Sequence, residues 1–219
     1  PTQIGANEEF HKMITDGIDV PYKDDSGSER YGKVHLFDFE NHNNNTYHAV
    51  NQFTIIEKTN RRPDLILFVN GIPLVVIELK SMINEEAEAY NQIQRYKEEI
   101  PSLFKYNSFI VLSDGINAKA GTISSNFERF MSFRSVDGET IQPTDQMMME
   151  TLTYGMLTRE RLLELTRDYI LFMKTKTESV KIMAQYHQFF AVKKALENTK
   201  QAKASKGKIG VIWHTQGSG

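Results

Sequence analysis

Arg62-Pro63-Asp64, Leu65-Ile66-Leu67-Phe68-Val69, Asn70-Gly71, Ile72-Pro73-Leu74-Val75-Val76-Ile77 and Glu78-Leu79-Lys80 follow one another without interruption, and this stretch decides the fold. Two short apolar runs around a glycine-containing turn predict a buried β-hairpin. Its charges lie only at the open end, with Asp64 heading the first strand and Glu78 and Lys80 closing the second. Side chains two apart on a strand share a face, so Glu78 and Lys80 project together and Leu79 is expected to turn into the core. Whether Asp64 joins them depends on the turn. A two-residue loop Asn70-Gly71 pairs Val69 with Ile72 and Asp64 with Ile77, which sends the aspartate to the other face. A three-residue loop Val69-Asn70-Gly71, with Gly71 left-handed in a bulge, pairs Phe68 with Ile72 and makes Asp64 a diagonal neighbour of Glu78, at a Cα separation of about 7–8 Å. The bulged loop is the expectation.

Two carboxylates at that separation can hold one divalent cation, and oxygen ligands without histidine or cysteine favour Mg²⁺ or Mn²⁺. Such ions retain water and accept phosphate oxygens, so phosphodiester hydrolysis fits. Lys80 beside the ion would orient or help deprotonate the attacking water and offset charge on the phosphate. An acidic residue two before a lysine at a strand end can also be a solvated rim. Here, however, an apolar ribbon presents two acids and an amine on one face.

Outward from the hairpin, residues 84–100 have helical spacing (Ala89, Ile93, Tyr96, Ile100), with Asn84 as a cap and Pro101 as a stop. Gln92 and Tyr96 stand at i and i+4 on one face of that helix. Residues 7–16 suit a helix, 22–45 read as loop and short strand, and 49–57 as a strand. Residues 109–112 make another buried strand, and 126–134 a short aromatic element. Residues 158–173 are expected to form one helix capped by Thr158, with Leu162, Leu165, Tyr169 and Phe172 on a stripe. Together these predict an α/β fold with a central mixed β-sheet flanked by helices. Composition shifts near residue 175. Beyond it come a polar segment (174–182), a helix (183–196), a Lys/Ala/Ser/Gln connector (197–208) and a short strand, Ile209 to Trp213. The expected domains are therefore 1–175 and 176–219.

The chain has 219 residues, 26 basic and 28 acidic side chains and a formal charge of −2, so nucleic-acid contact would have to come from a local basic surface. Arg61, Arg62 and Lys97 are the candidates for phosphate contact. No cysteine is present, which removes thiol chemistry, zinc fingers and iron–sulfur ligation and suits a reducing cytoplasm. The longest apolar runs are far below the ~18 residues of a membrane span. The six histidines show no pair at metal-ligand spacing.

Arg62-Pro63-Asp64, thirteen residues, then Glu78-Leu79-Lys80 resembles the PD-(D/E)xK nuclease motif, and Gln92 to Tyr96 resembles the QxxxY motif of its RecB-like branch. With Phe109 to Gly115, Phe133-Arg134 and Leu162 to Phe172, most of residues 1–175 is similar to the N-terminal nuclease domain of the type I restriction enzyme R subunit. The resemblance implies a PD-(D/E)xK-like sheet, with Asp64, Glu78 and the Leu79 carbonyl as metal ligands. Lys80 would be the catalytic lysine, and Gln92 and Tyr96 would support DNA or the acid. It further implies a Mg²⁺-dependent endonuclease acting on double-stranded DNA, in an ATP-driven translocating complex with methyltransferase and specificity subunits.

Residues 211–219 resemble helicase motif I of the same subunit, cut before its lysine, with Thr215, Gly217, Ser218 and Gly219 in the phosphate loop at the start of a RecA-like domain. His214 stands where the general pattern has Ala or Gly. Tyr186-His187-Gln188 is similar to the adenine-recognising Q motif, with Gln188 as base reader. ATP would bind the full-length subunit, and turnover by these residues alone is not expected. Two other readings share the hairpin site: a stand-alone RecB-like repair nuclease or junction resolvase, and a non-catalytic DNA-binding or docking module.

Overall fold

A computed structural model describes residues 2–81, 86–143, 147–176, 178–202 and 207–213. The strands are β1 (Ile18–Lys23), β2 (Glu29–Val34), β3 (Tyr47–Asn51), β4 (Ile55–Ile56), β5 (Asn60–Arg61), β6 (Leu65–Val69), β7 (Ile72–Leu79), β8 (Phe109–Ser113), β9 (Ala118–Gly121), β10 (Ile170–Lys174) and β11 (Ser179–Met183). The helices are α1 (Gln3–Asp16), α2 (Glu86–Glu99), α3 (Met148–Leu152), α4 (Arg159–Asp168) and α5 (Tyr186–Lys200). A five-stranded sheet runs in the order β3-β6-β7-β8-β9, and hairpins β1–β2, β4–β5 and β10–β11 stand apart from it. Only β7 and β8 are parallel. A parallel pair needs a crossover, and α2 lies on it.

The expected mixed sheet with flanking helices is thus present. On one face Ala89, Ile93 and Tyr96 of α2, with Ile100 just past its end, lie over Ile66, Val76, Ile110 and Leu112. On the other, Val75, Ile77, Phe109 and Val111 pack with Phe10 and Ile14 of α1 and Leu162, Leu163 and Leu165 of α4. Both faces of β7 are covered, which explains why its sequence is a continuous apolar run.

The turn between β6 and β7 corrects the sequence reading. Val69 pairs with Ile72, so the loop is the two-residue Asn70-Gly71, with φ of 50° and 80°. Positive φ at both positions matches the right-handed twist of the flanking strands. Parity is restored further along. Phe68 pairs with Pro73 and Leu67 with Val75, so Leu74 is an extra residue in β7. Leu74 and Val75 consequently enter the same core. Beyond the bulge Leu65 faces Ile77, and one further step sets Asp64 opposite Glu78.

Three other expectations are corrected. The helix from Thr158 stops at Asp168, and Ile170–Lys174 pairs with Ser179–Met183 instead, because the ladder to β11 overrides helical spacing. Leu79 is 44% exposed rather than in the core, since it lies at the end of β7, past the last residues covered on that face. Residues 209–213 form no strand. Their backbone has no ladder partner among the described residues, and Val211 and Trp213 are almost fully exposed. Within 126–134 the element is a 3₁₀ turn at Phe127–Arg129. The expected Asn84 cap lies outside the described residues.

Residue 175 sits in the turn from β10 to β11, where Thr175 N–H donates to the Glu178 carbonyl at 2.8 Å. The segment after it still packs on the body before it. Lys181 is buried, donating at 2.6 Å to Asn7 Oδ1 and at 2.6 Å to the Asn107 carbonyl. Phe189 of α5 is fully buried beside Tyr169 and Phe133. No described helix is long and apolar enough to cross a membrane.

Candidate active site

The open ends of β6 and β7, the β4–β5 hairpin and the side of α2 that carries Gln92 and Tyr96 enclose an open cleft of about 660 Å³. Asp64, Glu78, Lys80, Gln92 and Tyr96 all line it, together with Gln52, Thr54, Asn60, Arg61 and Arg62. Five residues separated by up to 32 positions in sequence therefore meet at one place.

Asp64 is held through both carboxylate oxygens. Oδ1 accepts from Gln52 Nε2 at 3.0 Å, and Oδ2 accepts from the Leu79 backbone N–H at 2.9 Å. Glu78 is 2% exposed. Its Oε1 accepts from Lys80 Nζ at 2.7 Å, while the buried Oε2 has no partner among the described residues. Burial raises the Glu78 carboxyl above its ordinary range. The Lys80 hydrogen bond opposes this, and the Asp64 charge adds to the rise. A buried acceptor without a donor is costly, so Oε2 is a position that a donor or a cation could satisfy.

The donor set fits a hard divalent cation: two carboxylates at the open end of the β6–β7 ribbon, with backbone carbonyl, water or substrate oxygens left to complete the shell. Among the described residues no group of three or more His, Asp or Glu side chains is close enough to hold one ion, so the fit is to two carboxylates plus carbonyl, water or substrate oxygens. Tyr96 is 5% exposed. Burial, then the charges of Glu78 and Asp64, push its phenol well above the ordinary value, so it carries its proton throughout the neutral range. Gln92, one turn earlier, hydrogen-bonds against that shift, and its Oε1 accepts from Arg95.

The basic candidates divide. Arg62 is exposed and lines the cleft. Arg61 also lines it but is bound to Glu99 through two hydrogen bonds, which raises the guanidinium further and lowers the Glu99 carboxyl. Lys97 is turned away and donates to Gln94 Oε1 at 2.9 Å and to the Ile123 carbonyl at 2.8 Å. Burial lowers its ammonium below the usual range.

Gln188 closes a capping box at the start of α5, its Oε1 accepting from the Gln185 N–H at 2.9 Å. Thr215, Gly217, Ser218 and Gly219 lie outside the described residues. Gln52 was missed because its link to Asp64 arises from strand pairing. Asn51 faces Leu65 across β3 and β6, which brings the next residue, Gln52, against Asp64.

The family described as type I restriction enzyme R protein N terminus matches residues 3–129, and the family described as SWI2/SNF2 ATPase matches residues 187–219. The chain is similar to the type I restriction enzyme HindI endonuclease subunit of Haemophilus influenzae, 40% identical over 99% of this chain and 21% of that protein. It is also similar to the putative type I restriction enzyme MjaIXP endonuclease subunit of Methanocaldococcus jannaschii, 32% identical over 96% of this chain and 22% of that protein. To the SauCOLORF180P endonuclease subunit of Staphylococcus aureus it is 23% identical over 98% of this chain and 24% of that protein. The chain spans about a fifth to a quarter of the length of these curated relatives.

Proposed function

We propose, from the premise that this chain belongs to the type I restriction enzyme R protein N-terminal family, that it carries the endonuclease site of an R subunit and hydrolyses phosphodiester bonds of double-stranded DNA. The observation that carries the reading is the buried, unpartnered Glu78 Oε2, on the ribbon strand beside Asp64 and in one cleft with Lys80. The fold is then of the PD-(D/E)xK type. Asp64, Glu78 and the Leu79 carbonyl would hold Mg²⁺ or Mn²⁺, which when bound supplies Lewis-acid activation of the phosphate and of water.

The chain's own groups have separable tasks. Lys80, fixed by Glu78, presents a positive charge where negative charge grows on the phosphate and can orient the attacking water. Tyr96, kept protonated, offers a hydroxyl donor, and Gln92 an amide, to the strand or to the acid. Arg62 lies on the cleft wall where a phosphate backbone would run, and phosphate contacts of this kind position the duplex without reading its sequence.

Residues 1–175 form the nuclease unit in this reading, with β11 and the start of α5 packed onto it, and the rest of 176–219 is a connector and the start of a RecA-like motor. The SWI2/SNF2 match from residue 187 supports a motor over a stand-alone nuclease. Gln188 would read adenine, while Thr215, Gly217, Ser218 and Gly219 belong to the phosphate loop, with ATP a ligand of the full-length subunit. Methyltransferase and specificity subunits are the partners, in the cytoplasm. The test is DNA cleavage by the complete assembly carrying Lys80→Ala. Cutting is expected to fall by at least about 100-fold with ATP hydrolysis intact, in line with loss of a group acting on transition-state charge. Undiminished cutting would remove Lys80 from the chemistry.

A further inference from the structure

Gln52 follows the last residue of β3 and has φ of 50°, one of two non-glycine residues with positive φ among the described residues. The other, Asn70, is of the residue type that tolerates this conformation, and it sits in a two-residue hairpin turn that demands it. Glutamine has no such preference. Its backbone N–H donates to the Asp64 carbonyl at 3.1 Å, and its side chain returns to Asp64 Oδ1 at 3.0 Å. An ionised carboxylate can only accept, so the amide nitrogen must face it. With Leu79 N–H on Oδ2, the Asp64 carboxylate is clamped at both oxygens by groups from the two strands that flank β6.

We infer that Gln52 is a positioning residue that fixes the plane of the Asp64 carboxylate toward Glu78 and so prepares the pair for a divalent cation. The inference rests on the nuclease reading of the cleft. If the backbone turn alone mattered, glycine or asparagine would serve it better than glutamine. Keeping glutamine in a conformation that costs free energy points to its side chain. The reach of the side chain is what matters, because asparagine is one methylene shorter and falls short of Oδ1.

Mn²⁺ titration of the 219-residue chain, followed by loss of the free-ion electron paramagnetic resonance signal, separates the possibilities. Binding by the unaltered chain and its loss in Asp64→Ala locate the ion. Gln52→Gly and Gln52→Asn are expected to bind roughly tenfold more weakly, as groups that orient a ligand generally do when removed. Their melting temperatures should be unchanged or raised, because both residues suit positive φ. Affinity equal to the unaltered chain in both variants overturns the inference and leaves the nuclease reading standing. A loss of affinity that only tracks a loss of thermal stability also overturns it. No Mn²⁺ binding by the unaltered chain overturns both.

Discussion

Glu78, the proposed metal ligand, works against the stability of its own fold. Its carboxylate is buried, one oxygen lacks a partner, and Asp64 places a second negative charge close by. Lys80 offsets part of this. Glu78→Gln keeps an acceptor for Lys80 and removes a buried charge that Asp64 repels. The metal-free variant is expected to be more stable by about 1 kcal/mol, the scale of a single unfavourable charge interaction. Urea midpoints at neutral pH without divalent ions measure it. The same substitution should abolish Mn²⁺ binding. The mutual placement of Glu78 and Lys80, and of Gln92 and Tyr96, was legible because strand and helix periodicity set it by short-range rules, whereas the face of Asp64 hung on the turn and the bulge. Gln52 needed the β3–β6 register, and the burial of Lys97 needed the position of Ile123, neither of which is local in sequence.

At the scale of elements, the β6–β7 ribbon brings the two acids together through a turn and a bulge acting jointly. A three-residue loop and a two-residue loop with a bulge in β7 both place Asp64 and Glu78 on one face, and the structure uses the second. Pro73 was the readable sign. Proline cannot donate to a ladder, so within an inner strand it marks an irregularity, and the β8 ladder starts only at Val75. Asn70 strengthens the tight turn by accepting from Thr46 N–H at 2.8 Å and donating to the Leu36 carbonyl at 2.8 Å. Gly71 has φ of 80° and open space where a Cβ would lie. Gly71→Ala therefore costs conformational energy alone, expected at about 1 kcal/mol in chemical unfolding. A larger cost would mean that the turn moves and takes the site with it. The end of α4 was not legible, since Phe172 continues the helical stripe while its backbone pairs with Lys181.

At the scale of the whole molecule, Lys181 ties β11 to α1 and to the approach of β8. Burial lowers its ammonium far below the usual value. A neutral amine would have two N–H donors to match the two acceptors in place, Asn7 Oδ1 and the Asn107 carbonyl. The unfolded chain binds this proton up to about pH 10.4 and the folded chain only to a lower pH. Between those limits the unfolded state holds more protons, so the contribution to stability rises with pH, by at most about 1.4 kcal/mol per unit. Lys181→Met should lose this slope. The unaltered chain is expected to gain stability relative to the variant from pH 7 to 9.5 in paired urea titrations. A constant difference would show that the folded lysine stays charged. His11, lowered chiefly by burial, titrates below this window, and the raised phenols of Tyr96 and Tyr169 stay silent within it.

The region matched by the SWI2/SNF2 family begins inside α5, yet Phe189 of that helix is sealed among aromatic rings of the body that precedes it. The junction between the two sequence families is therefore not a slack tether. A pull applied beyond Lys200 would be borne by a rod anchored at its other end in the interior, and would reach the sheet as mechanical load.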